Sequence, residues 1–346
     1  GRSLNSSIIG CPDLLEKIIG ILIRFREKPV AISADIEAFF HRVRLQAQDR
    51  DRHRLVWFDP DDIGGKVVHY RMKSHPFGRI DSQACAIVAR DASIDLAVGR
   101  ELITPEEASA TKRNFYSDDL MRSLASDQEA AAAMKAAKEA LAIGGFKLTK
   151  FRSNRAIPGC NDQKGLIELM PAARSDGAND VTVKSESALG LSWDVQNDCL
   201  IFTAPPASTL SLVANRRKLL SVLMSVFDPL GLVQPVLMPL KLLVQDLAHS
   251  NHDWDDKLNE MFQRLVSQCM EDLNRLSSLS VPRCYSPFEI GHIIARQLHV
   301  FCDGSQKAYG AAVYMRVSCV NGDISSSLVL AKSRVCPRAK ALTIPR

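Results

Sequence analysis

At residues 114–121 the chain reads Asn114-Phe115-Tyr116-Ser117-Asp118-Asp119-Leu120-Met121, with two adjacent carboxylates between apolar residues. The flanks are typical of two short strands, and the Asp pair is typical of the tight turn that joins them. Two neighbouring negative charges repel each other, and a cation between them relieves the repulsion. Carboxylate oxygen is the ligand that Mg²⁺ prefers. The stretch therefore predicts part of a metal site at a hairpin tip, whereas most such pairs are solvated turn residues.

A third carboxylate follows an apolar run near the amino terminus. The run from Val30 to Ala34 is typical of a buried strand, and Asp35 comes at its end. One carboxylate at a strand end and an adjacent pair at a hairpin tip form the arrangement with which polymerases bind two metal ions about 4 Å apart. The predicted ligands of two Mg²⁺ or Mn²⁺ ions are therefore Asp35, Asp118 and Asp119.

At these and other blocks the chain resembles the reverse transcriptases of Pao/BEL-type LTR retrotransposons. The resemblance runs nearly from end to end, and the number and order of the blocks make it specific. The blocks are Gly10-Cys11-Pro12-Asp13-Leu14-Leu15, Ala34-Asp35-Ile36, Phe77-Gly78, Tyr116-Ser117-Asp118-Asp119, Gly144-Gly145-Phe146-Lys147-Leu148-Thr149-Lys150, Leu189-Gly190-Leu191-Ser192-Trp193-Asp194, Phe227-Asp228-Pro229-Leu230-Gly231 and Phe301-Cys302-Asp303-Gly304-Ser305.

The resemblance implies an RNA-directed DNA polymerase, a nucleotidyltransferase, and it assigns roles around the nucleotide. Phe40 would close the floor of the nucleotide site and exclude a ribose 2′-hydroxyl. The loop that contains Phe77 and Gly78 would support the incoming nucleotide, with Gly78 allowing the backbone a close approach. Tyr116 would help to seat the primer end. Lys150 is favoured over its neighbour Lys147 as the donor of a proton to the leaving pyrophosphate.

Each of these side chains also has a simpler interpretation. Either Phe39 or Phe40 must point inward if the segment is extended, so Phe40 can be an ordinary core residue. Tyr116 can be a core aromatic with a solvated hydroxyl. Lys150 can equally be an exposed strand lysine. Glu37 is predicted to be solvated or to support the metal ligands from behind.

The resemblance also implies an α+β fold, in which a right-hand polymerase palm and fingers with a helical thumb precede a truncated RNase H-like β-sheet. The predicted domains are partial fingers and palm at 1–155, a variable loop and primer-grip hairpin at 156–204, a helical thumb or connection at 205–290, and an incomplete RNase H-like domain at 291–346. Helical stretches are predicted at about 208–226, 235–249 and 256–277. A plain helical bundle is the alternative to a thumb.

Other local patterns give further predictions. The apolar spacing over residues 12–27 predicts a helix. Two strands are predicted at residues 54–58 and 66–72, with a turn at 59–65 between them. A helix is predicted from Ser82 to about Arg100, capped by Asp81 or Ser82.

The carboxy-terminal segment resembles the opening three-stranded part of an RNase H domain. Leu298 to Asp303 is predicted to be a strand that ends in a carboxylate, and Asp303 would be the first metal ligand of that domain. RNase H chemistry needs several carboxylates to bind two metal ions. The chain ends at Arg346, before the next one expected, so we predict no RNase H activity.

The composition is that of a globular protein, with 46% hydrophobic and 24% charged residues. The net charge of +5 allows a nucleic-acid partner without requiring one. Nine cysteines without CxxC spacing predict reduced thiols in a reducing interior. His299 and Cys302 are three residues apart in a predicted buried strand and lack a second pair, so they predict no zinc site.

The resemblance implies a duplex of RNA or DNA template and primer as partner, together with dNTPs and the remainder of a Pol polyprotein. No apolar run reaches about 20 residues, so no membrane partner is expected. The expected location is intracellular, in the cytoplasm within a virus-like particle or in the nucleus. The first residue is not Met, and the chain is expected to be a piece of a longer polyprotein.

Two departures from the family pattern affect the site, since Gln83 stands where Pro is common and Ser117 where an aliphatic residue is usual. The alternative function is a truncated, catalytically inactive remnant that still folds and binds nucleic acid, because part of the fingers is expected to be missing and the carboxy-terminal domain to be cut. An aspartic protease is excluded by residue order, because that class needs Asp followed by Thr or Ser and then Gly. The chain has Asp303-Gly304-Ser305 and Asp176-Gly177 instead.

Overall fold

The computed structural model describes residues 3–59, 62–158, 166–168, 191–202, 213–250 and 252–337. The chain divides into two compact units. The first comprises Gly1–Arg24 and Val30–Asp162, and the second comprises Phe25–Pro29 and Gln163–Arg346. Most of the predicted variable loop, and the start of the first predicted thumb helix, lie outside the described residues. Within the described ranges, no helix has both the length and the apolar character needed to cross a membrane.

A four-stranded antiparallel sheet forms the centre of the first unit, in the order β4-β5-β1-β6. Its strands are β1 (Val30–Ile36), β4 (Phe115–Tyr116), β5 (Asp119–Leu124) and β6 (Leu148–Ser153). β1 is an interior strand that is buried along nearly its whole length, which explains why its sequence is an apolar run. The strand predicted before Asp35 is thus confirmed.

Helices cover this sheet, and two of them pack closely against each other. They are α1 (Ile18–Phe25), α2 (Ser82–Gly99), α3 (Pro105–Lys112) and α4 (Asp127–Ile143). The buried Ser93 of α2 donates a hydrogen bond of 2.6 Å to the carbonyl of Ala140 in α4. A Cβ on Gly144 would lie 2.8 Å from the Ser93 side chain, so glycine is required at the end of α4. The many alanines of α4 permit this close approach.

A hairpin of β2 (Arg54–Asp59) and β3 (Asp62–Arg71) completes the first unit. The predicted strands are confirmed, but the predicted turn at 59–65 is wrong in extent, because β3 already begins at Asp62 and pairs with Asp59. Both strands are largely exposed, and Trp57 is 66% exposed.

Short 3-10 helices occur in both units. They lie at Leu4–Ser7, Phe39–Arg42, Ala47–His53, Arg275–Ser278 and Ile290–His292.

Two predictions about helix starts need correction. The helix predicted from residue 12 begins only at Ile18, because Leu14 is exposed and the Asp13 carboxylate accepts a hydrogen bond from the Leu15 amide, which favours a local turn. α2 is confirmed at Ser82–Gly99, but the Asp81 side chain does not cap it. The Asp81 carboxylate is bound by Arg79 instead.

Among its described residues, the second unit contains two sheets and three α-helices. A four-stranded sheet has the order β10-β9-β8-β7, with β7 (Leu166–Glu168), β8 (Leu191–Asp194), β9 (Cys199–Phe202) and β10 (Ser280–Pro282). A three-stranded antiparallel sheet contains β11 (Ile293–Gly304), β12 (Ala308–Cys319) and β13 (Ile324–Val335). The helices are α5 (Arg216–Ser225), α6 (Gln234–His249) and α7 (Glu260–Asn274). The hairpin and the helical stretches predicted here are confirmed in the described residues.

The strand β11 contradicts the prediction of a buried strand around His299 and Cys302. Every residue of β11 after Ile293 is exposed. Residues three apart on a strand point to opposite faces of the sheet, so these two side chains cannot bind the same ion. A strand prediction from apolar residues does not distinguish a covered face from an open one.

A buried arginine connects the segments of the second unit. Arg283 is fully buried, and its guanidinium donates to the carbonyls of Lys28 and Pro29 at 3.0 and 2.8 Å. It also forms two hydrogen bonds to the Asp198 carboxylate, at 2.6 and 2.9 Å. Asp198 in turn accepts a hydrogen bond of 3.0 Å from the indole of the buried Trp193. Trp193, which lies in the predicted primer-grip hairpin, is therefore a core residue.

Replacing Arg283 with Met should lower the free energy of unfolding by about 3–5 kcal/mol, because Asp198 and several carbonyls would lose their buried donor. Urea unfolding measures the change. Arg275→Met is the matched control, since Arg275 is exposed and 3.6 Å from Asp272, and it should cost at most about 1 kcal/mol. Equal losses in the two variants would contradict the role given to Arg283.

Candidate active site

The three aspartates predicted to bind metal meet at one end of the first sheet. β1 pairs with β5 in a register that sets Asp35 directly opposite Asp119. The Ile36 amide donates a hydrogen bond of 3.0 Å to the carbonyl of Asp118, which holds the turn against the end of β1. Opposite residues of an antiparallel pair have Cα atoms about 4.5–5.5 Å apart. The fold thus assembles this carboxylate cluster from distant parts of the sequence, while metal binding by it stays a prediction.

The prediction that both aspartates form the hairpin turn is wrong for Asp119, because the turn lies one residue earlier. β4 and β5 pair Tyr116 with Asp119, so the turn itself consists of Ser117 and Asp118. Ser117 has a φ of 56°, in the left-handed region that two-residue hairpin turns require. Asp119 is therefore the first residue of β5, and the pairing of the sheet fixes the direction of its side chain.

Charge repulsion is concentrated on Asp119. Burial raises the pKa of Asp119 to about 7, and the negative charges of Asp118 and Asp35 add to this effect, while Lys150 opposes it. Crowded carboxylates titrate together, and one of them retains a proton at higher pH than an isolated carboxylate would. The cluster has the charge and the oxygen donors that a divalent cation needs, so its residues fit the predicted metal ions.

Lys150 reaches this cluster through an irregularity in β6. The pairing of β1 with β6 shifts between Ser33 and Asp35, which makes a bulge, and Lys150 adopts a φ of 53° there. A non-glycine residue in this region is strained, and bulges of this kind redirect side chains next to active sites. The Lys150 ammonium lies 3.2 Å from the Asp35 carboxylate.

The other candidate lysine has a different partner. The Lys147 ammonium lies 2.7 Å from the carboxylate of the exposed Glu37, which also pairs with Arg42 at 3.0 Å. The structure therefore connects Lys150, and not Lys147, directly to the carboxylate cluster. Glu37 is in solvent, in agreement with its predicted solvated role.

A cavity of about 480 Å³ opens beside the cluster. Asp35, Asp118 and Lys150 contribute to its wall, and Phe40 and Phe77 are among the aromatic residues that also line it. The Phe40 and Phe77 rings meet edge to face, with centroids 6.2 Å apart. Phe40 is therefore placed where a nucleotide next to the carboxylates would contact it.

The sequence left open which of Phe39 and Phe40 points into the core, and the structure distinguishes the two by their burial. Phe39 is 2% exposed and belongs to the core, whereas Phe40 is half-buried at the cavity. The premise of an extended segment was wrong, because Phe39–Arg42 forms a 3-10 helix that follows Ala38 with a φ of 54°. The helical turn, and not strand alternation, separates the two rings.

The other two predicted substrate contacts are more distant from the cavity. Gly78 has a φ of 85° and open space around the position of a Cβ, and its carbonyl accepts a hydrogen bond of 2.8 Å from Asn5. Tyr116 is half-buried beside Asp119 in the hairpin. Neither residue contributes to the cavity wall as described. Their roles as substrate contacts stay predictions.

Sequence reasoning missed Arg90, whose side chain supports the turn of Ser117 and Asp118. Arg90 is 3% exposed, and its guanidinium donates a hydrogen bond of 2.7 Å to the carbonyl of Ser117. It also lies over the Phe115 ring, 4.7 Å from the centroid, and pairs with Asp91 at 2.8 Å. An arginine within a helix pattern gives no sign of this role until the helix and the hairpin are packed together.

The two departures from the family pattern contact each other. The Gln83 side-chain amide donates a hydrogen bond of 3.0 Å to the Ser117 hydroxyl. A proline at the first position would lack this donor, and an aliphatic residue at the second would lack the acceptor. The two unusual residues therefore form one unit that connects the start of α2 to the turn.

Asp303 lies in the second unit, apart in sequence from the cluster of the first. It is exposed in β11 and borders a cavity of about 670 Å³, in which it is the only carboxylate among the described lining residues. A single carboxylate does not hold two metal ions. The expectation of no RNase H activity stays a prediction.

Stability should fall between about pH 4 and pH 7 in the presence of a chelator, because the pKa of Asp119 is raised in the folded protein. In that range the folded state binds more protons than the unfolded state, so raising the pH favours unfolding. Urea unfolding at several pH values measures the slope. Asp119→Asn should flatten it, and Asp118→Asn should move it to lower pH by removing a like charge. A slope unchanged in Asp119→Asn would contradict the assignment.

The Gln83–Ser117 hydrogen bond should give a coupling energy of about 0.5–1.5 kcal/mol in a double-mutant cycle. The cycle compares Gln83→Leu, Ser117→Ala and the double variant by their free energies of unfolding. Gln46→Leu with Ser117→Ala is the matched control pair and should be additive. Additivity within about 0.3 kcal/mol for Gln83 and Ser117 would show that the contact contributes nothing.

A family model described as "Pao retrotransposon-like RNaseH-like domain" matches residues 215–346. The match begins at the start of the helical region and includes the three-stranded sheet. Among curated proteins none matches the chain.

Solved structures of a foamy viral protease-reverse transcriptase have a similar fold. One, named dRH and in complex with double-stranded DNA, has a TM-score of 0.55 at 15% identity over 97% of this chain and 48% of that chain. Another, in complex with an RNA/DNA hybrid, has a TM-score of 0.53 at 15% identity over 97% of this chain and 37% of that chain. The chain thus spans less than half the length of either. Both comparisons relate its mixed α and β architecture to Pol proteins of retroelements.

Proposed function

We propose that this chain is the RNA-directed DNA polymerase segment of a retrotransposon Pol polyprotein. The observation that carries the proposal is the meeting of Asp35, Asp118 and Asp119 at one end of a sheet, beside an open cavity. Two Mg²⁺ or Mn²⁺ ions bound there would supply the charge that activates a primer 3′-hydroxyl and stabilises a leaving pyrophosphate. In this proposal the first unit contains palm and partial fingers, and residues 205–290 contain a thumb or connection.

The protein groups would act by charge, position and proton transfer. Asp119 must lose its proton to become a metal ligand, and its pKa near 7 places that loss close to neutral pH. The ammonium of Lys150, held 3.2 Å from Asp35, is close enough to the cluster to deliver a proton to a leaving pyrophosphate. Phe40 would pack against the sugar and exclude a 2′-hydroxyl.

The proposed partners are a template-primer duplex and dNTPs. The foamy viral neighbours are complexes with double-stranded DNA and with an RNA/DNA hybrid, which supports this class of ligand for the present chain. Base pairing would then supply the sequence specificity, and the protein would contact duplex shape and backbone. Such an element would act inside the cell, in a virus-like particle or in the nucleus.

A catalytically inactive remnant that binds nucleic acid is the second candidate. The replacement of the usual proline and aliphatic residue by Gln83 and Ser117 favours it, because both lie at the turn that presents Asp118. Their mutual hydrogen bond argues the other way, since one change compensates for the other. The two functions differ in whether bound duplex is extended.

Primer extension separates the two candidates. The full chain is incubated with an annealed RNA template and DNA primer, dNTPs and Mg²⁺ or Mn²⁺, alongside Asp118→Asn as the inactive control. Metal-dependent extension that Asp118→Asn lacks supports the polymerase. Equal traces from the two proteins, with duplex binding retained, would establish the remnant.

Lys150→Ala should slow nucleotide incorporation by about 100-fold if Lys150 transfers the proton. Lys147→Ala is the matched control, because Lys147 pairs with the exposed Glu37, and it should leave the rate nearly unchanged. Single-turnover incorporation across a pH series measures both, and the basic limb of the pH profile should disappear in Lys150→Ala. Equal rates in the two variants would contradict the assignment.

A further inference from the structure

A second group of potential ligand atoms lies in the first unit, away from the aspartate cluster. His75 belongs to the loop after β3, Asp81 directly precedes α2, and Cys85 lies in the first turn of that helix. One nitrogen, oxygen or sulfur atom from each of the three lies within 4.8 Å of the others. The spacing His-x5-Asp-x3-Cys does not match common zinc motifs, because it lacks their paired cysteines.

His75 is the member that points to a ligand. Its side chain is only 7% exposed, and its Nδ1 atom is buried without a hydrogen-bond partner. Buried polar atoms are nearly always paired, so an unpaired imidazole nitrogen beside a thiol and a carboxylate needs an explanation. Burial, and next the charge of Arg79, lowers the pKa of His75, which keeps the imidazole neutral and able to coordinate.

Asp81 and Cys85 can supply negative charge to a divalent cation. Asp81 is bound through both oxygens by Arg79, and the Arg79 guanidinium also contacts the buried His53. Carboxylates that bind metals are commonly held by such outer hydrogen bonds. A carboxylate and a thiolate together carry two negative charges, which match the charge of a divalent ion, and Arg79 adds one positive charge outside the ligand set.

We propose that His75, Asp81 and Cys85 bind a zinc-like divalent cation. Nitrogen, carboxylate oxygen and thiolate sulfur are the zinc donors, and they bind at about 2.0–2.3 Å. Ligand atoms in such a tetrahedron are about 3.3–3.8 Å apart, so atoms that now lie within 4.8 Å must approach by about 1.5 Å at most. Water or a fourth side chain would complete the coordination.

Cys11 is a candidate for that fourth position. Burial raises the pKa of the Cys85 thiol, and the charges of Asp81 and then Cys11 raise it further. Cys11 is exposed in the described segment before α1. A cation would favour the thiolate of Cys85 and would join that segment to the helix.

The position of the site gives it a structural role. The loop between His75 and Asp81 contains Phe77 and Gly78, which the sequence assigned to the nucleotide. Its present anchors include a hydrogen bond of 2.9 Å from the His75 amide to the Val43 carbonyl and one of 2.7 Å from the Ser82 hydroxyl to the Pro76 carbonyl. A metal ion would fix both ends of this loop to α2. The proposal does not depend on polymerase activity.

Metal binding by the full chain is tested with Zn²⁺ and with Co²⁺ as a spectroscopic probe. The purified chain is stripped with a chelator, reloaded and desalted, and we expect one tightly bound ion per chain. Co²⁺ should produce a thiolate charge-transfer band, which Cys85→Ser should reduce by at least about half. Cys85→Ser and His75→Gln should each weaken Zn²⁺ binding by at least about tenfold. Cys302→Ser, at an exposed cysteine in β11, is the matched control and should leave binding unchanged.

A measurement on the unaltered chain gives a test that does not depend on whether the variants fold. Alkylation by N-ethylmaleimide, followed by peptide mass spectrometry, reports each cysteine separately. Zn²⁺ should slow the modification of Cys85 and leave Cys302 unaffected, and slower modification of Cys11 as well would identify the fourth ligand. Absence of a bound ion after reloading, or modification of Cys85 at the same rate with and without Zn²⁺, would overturn the proposal.

Discussion

The antiparallel pairing of β1 with β5 is the constraint on which the candidate active site depends. It sets Asp35 opposite Asp119 and brings Asp118 against the end of β1. Side chains alternate between the two faces of a strand, so a shift of one residue would turn Asp35 away from the pair. The apolar residues of β1 and β5 fix this register because they must reach the core beneath α2 and α4. Hydrophobic burial thereby holds three repelling carboxylates together.

Features of the surrounding structure offset the cost of this arrangement. Arg90 supports the turn through the carbonyl of Ser117, and Lys150 brings a positive charge to Asp35 from a strained bulge. Burial, and next the charges of Asp118 and Asp35, nevertheless raise the pKa of Asp119 to about 7. Residual repulsion of this kind is what a divalent ion would relieve, which is the physical basis of the proposed polymerase function.

The second unit is organised by different interactions. Two buried arginines join segments that are distant in sequence. Arg283 binds Asp198 and the carbonyls of residues 28 and 29. Arg26 donates hydrogen bonds of 3.0 and 2.9 Å to the carbonyls of Arg283 and Leu328. Gly231 is packed so tightly against β13 that a Cβ would lie 1.8 Å from the Ala331 carbonyl oxygen. The similarity of residues 215–346 to a Pao retrotransposon-like RNaseH-like domain thus coincides with a well-packed unit, whose Asp303 nevertheless stands in solvent.

The sequence by itself determined β1, the hairpin of β4 and β5, the long helices and the three aspartates as candidate ligands, because strand and helix patterns and adjacent acidic residues are local properties of the chain. Only the tertiary structure decided that Phe39 is buried while Phe40 is half-buried at the cavity, that Lys150 reaches Asp35, and that Gln83 and Arg90 hold the turn. It also decided that β11 is exposed and that His75, Asp81 and Cys85 converge. These facts depend on a bulge, a 3-10 turn and the packing of elements distant in sequence, and no local pattern of residues specifies such long-range contacts.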